Sequence, residues 1–191
     1  MKTLELSSAM TAGKSFTARV EANSKVNVRS CYQCGKCSAG CPAAYAMDYA
    51  PHLVIRMVQL GLEDRVLSSH AIWLCASCET CLTRCPREVD LPALMDTLRK
   101  EAQKKGKIAE NDVNLFNKLF LESVEANGRS HEMSMMMKYN MKSGHLMKDV
   151  FHGPSMMLQG KMAIMPENIK DDGAVKRIFA KVREVSGGEV S

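Results

Sequence analysis

The sequence predicts an all-α fold: a helical domain built on two cysteine runs, an extended arm before it, and a helical, methionine-rich extension behind. Three observations predict this. Cys31-x-x-Cys34-x-x-Cys37-x-x-x-Cys41-Pro42 recurs 44 positions later as Cys75-x-x-Cys78-x-x-Cys81-x-x-x-Cys85-Pro86, and the two runs use all eight cysteines. The 33 residues between the runs carry apolar side chains at helical rather than alternating spacing. The segments after the second run repeat that spacing, bounded by cap residues and glycines.

Residues 1–27 are polar and weakly patterned, with Val20 and Val26 their β-branched aliphatics, and are expected to form an extended arm. The cysteine domain is expected over 28–107. Between the runs, Leu53, Val54, Met57 and Val58 fall on one helical face, with Pro51 in the first turn and Gly61 at the end. A short helical piece over Leu62–Leu67 follows, and Ser68-Ser69 can cap another turn before Trp73. After Pro86, Asp90 caps a helix with Pro92 near its start and Leu91, Leu94, Met95, Leu98 and Ala102 on one side. Its lysine-rich end meets Gly106, which suits the negative end of a helix dipole.

Residues 108–191 form the expected extension. A helix is predicted from about 110 to 124, with Val113, Phe116, Leu119, Phe120 and Val124 as its buried stripe. Residues 133–165 hold ten of the 15 methionines, and Gly144, Gly153, Pro154, Gly160 and Pro166 interrupt any long element. Met133, Met135, Met136 and Met137 are too dense for one stripe, so some must face outward, and such a patch suits subunit docking. Asp171 and Asp172 open a last helix with Val175, Ile178, Phe179 and Val182 on one side, ending in a frayed Gly187-Gly188.

The cysteine spacing carries the chemistry. In C-x₂-C-x₂-C-x₃-C-P runs, three thiolates hold one [4Fe–4S] cluster and the fourth reaches across to the other. Two [4Fe–4S] clusters follow, the first on Cys31, Cys34, Cys37 and Cys85, the second on Cys75, Cys78, Cys81 and Cys41. Zinc ribbons use two CxxC pairs instead of two three-thiol loops, each with a fourth cysteine before proline. Arg29, Lys36, Arg84 and Arg87 lie beside cysteines, where positive charge favours the reduced cluster; they also read as solvated surface charges. Trp73, two residues before Cys75, is expected to pack against the helices. His52, His70, His131, His145 and His152 have neither metal-ligand spacing nor a nucleophile partner. There is no glycine-rich phosphate loop and no thiol left for disulfide chemistry, so the chain does not read as catalytic on its own.

Composition bounds the rest. A formal charge of +5 could suggest nucleic acid. Two clusters of about −2 each would bring it to roughly +1, and the basic residues are dispersed, so nucleic-acid binding is not expected. The start is polar, with no apolar signal region, and no run of ~20 apolar residues could span a membrane. A cytoplasmic protein is expected, where cysteine clusters favour metal over disulfide.

The residues also carry a resemblance. Two such runs on a helical scaffold resemble the α-helical ferredoxin family, which includes the C-terminal half of succinate dehydrogenase and fumarate reductase iron–sulfur subunits. The stretches Cys31-Tyr32-Gln33-Cys34-Gly35-Lys36-Cys37-Ser38-Ala39-Gly40-Cys41-Pro42, Ile72-Trp73-Leu74-Cys75-Ala76-Ser77-Cys78-Glu79-Thr80-Cys81 and Asp90-Leu91-Pro92-Ala93-Leu94-Met95 resemble more closely the C subunits of heterodisulfide reductases from methanogens. The likeness is specific from about 28 to 125 and looser beyond. It implies an oxidoreductase complex with a flavin-containing, electron-bifurcating subunit and a cysteine-rich catalytic subunit that reduces the coenzyme M–coenzyme B heterodisulfide. A hydrogenase or formate dehydrogenase would join the larger assembly. This chain would be the carrier between the other two. The Cys-Cys-Gly motifs of the catalytic domain are absent here, and no cysteine precedes Cys31 to build the [2Fe–2S] domain of the succinate dehydrogenase type. The other readings are a two-cluster relay for another oxidoreductase, of sulfur-compound or fumarate/succinate type, and a non-redox protein stapled by its clusters.

Overall fold

The computed structural model describes residues 6–144, 169 and 172–185, and among them there is no strand. The backbone divides into two compact units, Met1–Glu110 and Asn111–Ser191.

The first unit begins with a difference from expectation. The segment read as an extended arm is a helix, α1, Leu6–Ser24. Its buried positions, Phe16, Thr17 and Val20, sit at helical spacing, but one is a threonine, so the apolar pattern alone was weak. A close approach of two glycines seats it. A Cβ built on Gly61 would lie 2.2 Å from Gly13 Cα, so only glycines let α1 cross the end of α3, Pro51–Gln59. Thr17 Oγ1 donates to Val58 O at 2.7 Å. Glu21 accepts the Val28 N–H at 3.1 Å, tying α1 to the 3-10 turn Val28–Ser30 that precedes the first cysteine.

Each cysteine run then takes one shape. Short helices α2, Lys36–Ala39, and α6, Thr80–Thr83, occupy equivalent positions and pack together. Between them lie a 3-10 turn, Ala44–Ala46, then α3, α4, Glu63–Leu67, and α5, Ala71–Leu74. Pro51 starts α3 as expected, and Gly61 follows its end in a left-handed turn at φ 69°. The long helix after the second run is α7, Leu91–Lys104, whose first turn is capped by Asp90 accepting the Ala93 N–H at 2.9 Å. Leu91, Leu94, Met95, Leu98 and Ala102 are buried, as their spacing predicted. The core forms where α1, α4 and α5 meet α7 and α3 packs on α1 and α4, from Phe16, Val20, Val54, Val58, Leu67 and Ile72, all fully buried.

A charged seam joins the same helices. The Arg19 guanidinium bonds the Glu101 carboxylate at 3.1–3.3 Å and also binds Glu63, which Lys105 reaches from the end of α7. The Glu101 hydrogen bond leads in raising the Arg19 pKa above its ordinary value. Burial pushes the Glu63 carboxyl up, but Lys105 and Arg19 outweigh it and hold it below the usual range.

In the second unit α8, Asn111–Asn127, packs with α9, Glu132–Ser143, and with α10, Asp172–Val185. The expected apolar stripe of α8 is only partly covered. Leu119 is buried, whereas Phe116 and Phe120 are exposed, Phe116 meeting Tyr139 edge-on at 6.1 Å. Met135 is buried, and Met136, Met137 and Met141 face outward. On α10, Ile178 and Val182 are exposed rather than buried. The expectations about Gly153, Pro154, Gly160, Pro166, the methionines from Met147 to Met165 and Gly187-Gly188 lie outside the described residues. No helix among the described residues is long and apolar enough to cross a membrane.

Candidate iron–sulfur centres

The two cysteine loops share a backbone. Gln33 and Ser77 are left-handed at φ 64° and 49°, and so are Gly35 and Glu79 at 77° and 59°, each pair 44 positions apart like the cysteines. Alternating right- and left-handed residues turn successive N–H groups into an anion-binding concavity. Three of the four are not glycine, and such strain persists where surrounding structure over-determines it. Cys34 and Cys78, the second cysteine of each run, are exposed, the other six half-buried, and all eight are free thiols.

The second set comes together around one hollow. Cys41, from the first run, lines it with Cys75, Cys78 and Cys81, and Met47, Pro51, Leu91, Pro92 and Met95 complete its apolar wall. Of the other four cysteines, Cys34 and Cys85 both bear on Tyr32, and Cys31 bears on Cys37. Desolvation first, then the Cys34 thiol against which it lies, raises the Tyr32 phenol pKa; Cys85 adds to this, and Arg87 opposes it. Burial first raises the Cys37 thiol, with Cys31 adding. The two sets adjoin: burial, Cys75 and Cys37 push the Cys81 thiol up to about 11. Thiols so placed ionise when a cation compensates them, and the four sulfurs around the hollow suit a polynuclear iron–sulfur group. Among the described residues no three His, Cys, Asp or Glu side chains converge on a single metal ion.

Neighbouring groups hydrogen-bond the sulfurs. Gln33 Nε2 donates to Cys31 Sγ at 3.4 Å, and the Val89 N–H donates to Cys85 Sγ at 3.3 Å. Ser38 Oγ lies 4.0 Å from Cys37 Sγ. It accepts the His52 N–H at 3.0 Å and lies 2.7 Å from His52 Nδ1. In the second run Cys78 Sγ and Thr80 Oγ1 are 3.4 Å apart, and that hydrogen bond leads in lowering the Cys78 thiol.

Several supporting residues escaped the sequence. Gln59, which merely interrupted an apolar stretch, donates to Val28 O at 2.8 Å and Cys31 O at 3.0 Å, fixing the start of the first run. Asp48 accepts the His70 and Ala71 N–H groups at 3.0 and 2.8 Å, capping the helix that delivers Cys75. Trp73 is buried as expected, with no partner for its indole N–H. Arg29 pairs with Glu21 at 3.7 Å, and Arg84 packs over Gly40. His70 pairs with Glu110, and His131 caps α9; His145 and His152 lie outside the described residues.

Residues 27–89 match the family model of the 4Fe-4S dicluster domain. Over 85 residues the chain is 41% identical to the iron-sulfur C subunit of the CoB–CoM heterodisulfide reductase of Methanopyrus kandleri, covering 44% of each chain. It is 45% identical over 83 residues to the C 2 iron-sulfur subunit of that reductase from Methanocaldococcus jannaschii, again 44% of each. This chain is similar to heterodisulfide reductase C subunits. A third relative, the C subunit of the H(2):CoB-CoM heterodisulfide,ferredoxin reductase of Methanothermobacter thermautotrophicus, is 34% identical over 96 residues, 50% of this chain and 52% of that one. The chain spans about half the length of the curated relatives it matches.

Proposed function

We propose that this chain is the electron-transfer subunit of a heterodisulfide reductase complex, a carrier between partner subunits that has no substrate site of its own. The observation that carries the reading is the single hollow lined by Cys41 together with Cys75, Cys78 and Cys81. A ligand exchanged between the runs suits two adjacent [4Fe–4S] sites, on Cys31, Cys34, Cys37 and Cys85 and on Cys75, Cys78, Cys81 and Cys41. Each such group, when bound, accepts and returns one electron. The chain's own residues hold the sulfurs, direct hydrogen bonds at them and keep two sites side by side, Cys37 next to Cys81.

The relatives' names supply the substrate, the CoB–CoM heterodisulfide, and ferredoxin and H(2) in one of them. The partners would then be a flavin-containing, electron-bifurcating subunit and a cysteine-rich catalytic subunit, with a hydrogenase or formate dehydrogenase in the larger assembly, in the cytoplasm. The second unit would dock them through its outward face, where Met136, Met137 and Met141 are exposed.

Anaerobic purification from the native source tests this. About eight iron atoms per chain and a magnetically coupled EPR signal after dithionite reduction are expected, with a flavoprotein and a cysteine-rich chain co-purifying. Zinc without iron would sink the cluster reading, and clusters without those partners the heterodisulfide one.

A further inference from the structure

The two loops share a backbone, but their sulfurs sit in different surroundings. Around the first set, Gln33 Nε2 reaches Cys31, the Tyr32 hydroxyl lies against Cys34, Ser38 Oγ approaches Cys37, and the Val89 N–H reaches Cys85. In the tautomer with its hydrogen on Nδ1, His52 would donate to Ser38 Oγ and leave the hydroxyl hydrogen for Cys37, 4.0 Å away. Gln33, Tyr32 and Ser38 thus bring three side-chain hydroxyl or amide groups to ligands of that set, while backbone N–H groups reach sulfurs of both sets. Around the second set, among the described residues, Thr80 is the side chain hydrogen-bonded to a ligand. Ser38 has Leu82 as its counterpart, whose backbone N–H reaches Cys81 but whose side chain offers no donor, and Ser77, the counterpart of Gln33, accepts from Arg99.

Polarity follows the same division, and charge does so in part, since Arg99 on Ser77 and Arg84 over Gly40 lie beside the second set. Arg87 faces Tyr32 at the first set, whereas the Glu79 carboxylate bears on Cys78 at the second. The second hollow has the apolar wall of Met47, Pro51, Leu91, Pro92 and Met95. Reduction adds negative charge to a thiolate-bound cluster. Donors aimed at the sulfurs and a nearby cation stabilise that charge and raise the potential, while an apolar wall and a carboxylate lower it.

We infer that the site on Cys31, Cys34, Cys37 and Cys85 has the higher reduction potential, so an electron entering the chain from a one-electron donor settles there and leaves from that side. The transfer moves one electron from the second site to the first, with no bond formed or broken. This rests on the two-cluster reading above. It adds a direction of flow and assigns Gln33 and Ser38 as potential-setting residues.

An EPR-monitored redox titration of the full chain with both clusters tests it, dithionite being the reductant. Two one-electron waves are expected. Ser38→Ala and Gln33→Leu should each shift the upper wave downward and leave the lower one in place; Ser38→Thr should restore it. Thr80→Val should shift only the lower wave downward. Leu82→Ser removes no contact of the sulfurs and should raise the lower wave, so it decides the matter should Ser38→Ala lose iron. A single unresolved wave, or an upper wave that moves with Thr80→Val or Leu82→Ser, would overturn the assignment and leave the relay reading standing. A chain with fewer than two clusters would bring down both.

Discussion

Gly61→Ala isolates the contact that turns the N-terminal segment into part of the domain. Gly61 has φ 69°, where an L side chain costs about 1–2 kcal/mol. The added Cβ would stand 2.2 Å from Gly13 Cα and 2.7 Å from Gly13 C, backbone atoms that no rotamer change can move aside. Either α1 shifts, at about 1–3 kcal/mol for an overpacked contact, or its middle leaves the core. Departure exposes Phe16 and Val20, both fully buried, and breaks the 2.7 Å bond from Thr17 to Val58 O. Each side chain is worth about 1.5–3 kcal/mol and the hydrogen bond about 1 kcal/mol, so departure costs on the order of 5 kcal/mol. That is a large part of a small domain's stability of about 5–15 kcal/mol. Gly106→Ala is the control: φ is 65°, but nothing lies within 4 Å of the new Cβ, so only the backbone cost of about 1–2 kcal/mol remains. Denaturant midpoints compare the two, and hydrogen exchange over residues 14–23 reports on α1. Equal midpoints with unchanged exchange in α1 would refute the argument.

Other substitutions probe the ligands and their supports. Under crosswise ligation, Cys34→Ser with Cys85→Ser damages one cluster and leaves about four iron atoms, whereas Cys78→Ser with Cys85→Ser damages both; iron analysis showing the reverse order would mean each run binds its own cluster. Asp48→Ala removes the acceptor of two N–H groups at the start of α5 and should cost about 1 kcal/mol in thermal unfolding, Asp48→Asn less. Glu63→Gln should cost at most about 1 kcal/mol at pH 7. The folded Glu63 carboxyl lies below its ordinary 4.5, so its contribution is full above that value and fades as pH falls through the lower folded one. A wild-type-to-variant gap that widens on acidification would contradict the ion-pair assignment.

The parts legible in the sequence are those whose chemistry demands particular residues at particular spacings. Cysteine at x₂, x₂ and x₃ has few other uses, and α3 and α7 announce themselves through Pro51, Asp90 and Pro92 beside periodic apolar side chains. Helix α1 did not, because what buries it is a glycine, a threonine and two apolar residues meeting α3 and α7. Periodicity on α8 and α10 marked apolar faces but not what covers them, and Phe116, Phe120, Ile178 and Val182 are exposed. Gln59 and Asp48 were illegible for another reason. Their partners lie 28 to 31 and 22 to 23 positions away, at distances only the fold brings together.

The repeat itself is unequal where its two runs meet. Gly40 and Arg84 occupy equivalent positions, each just before the last cysteine of its run. They meet where α2 packs on α6: a Cβ on Gly40 would stand 2.5 Å from Arg84 Nη1 and 2.8 Å from its Cδ and Cζ. A side chain at position 40 would therefore have to displace the flexible end of Arg84 from this seam. The guanidinium then lies against the chain neighbour of Cys41, while Arg84 itself precedes Cys85, and these are the two cysteines proposed to cross between clusters. An aliphatic residue at 84 would satisfy the packing, but a cation there also offsets the negative charge that both thiolate sets accumulate on reduction. The repeat is unequal elsewhere too, with Ser38 opposite Leu82 and Gly35 opposite Glu79. On the two-cluster reading, matching backbones would give the chain two places to hold an electron, and unequal side chains would give the electron a preference between them.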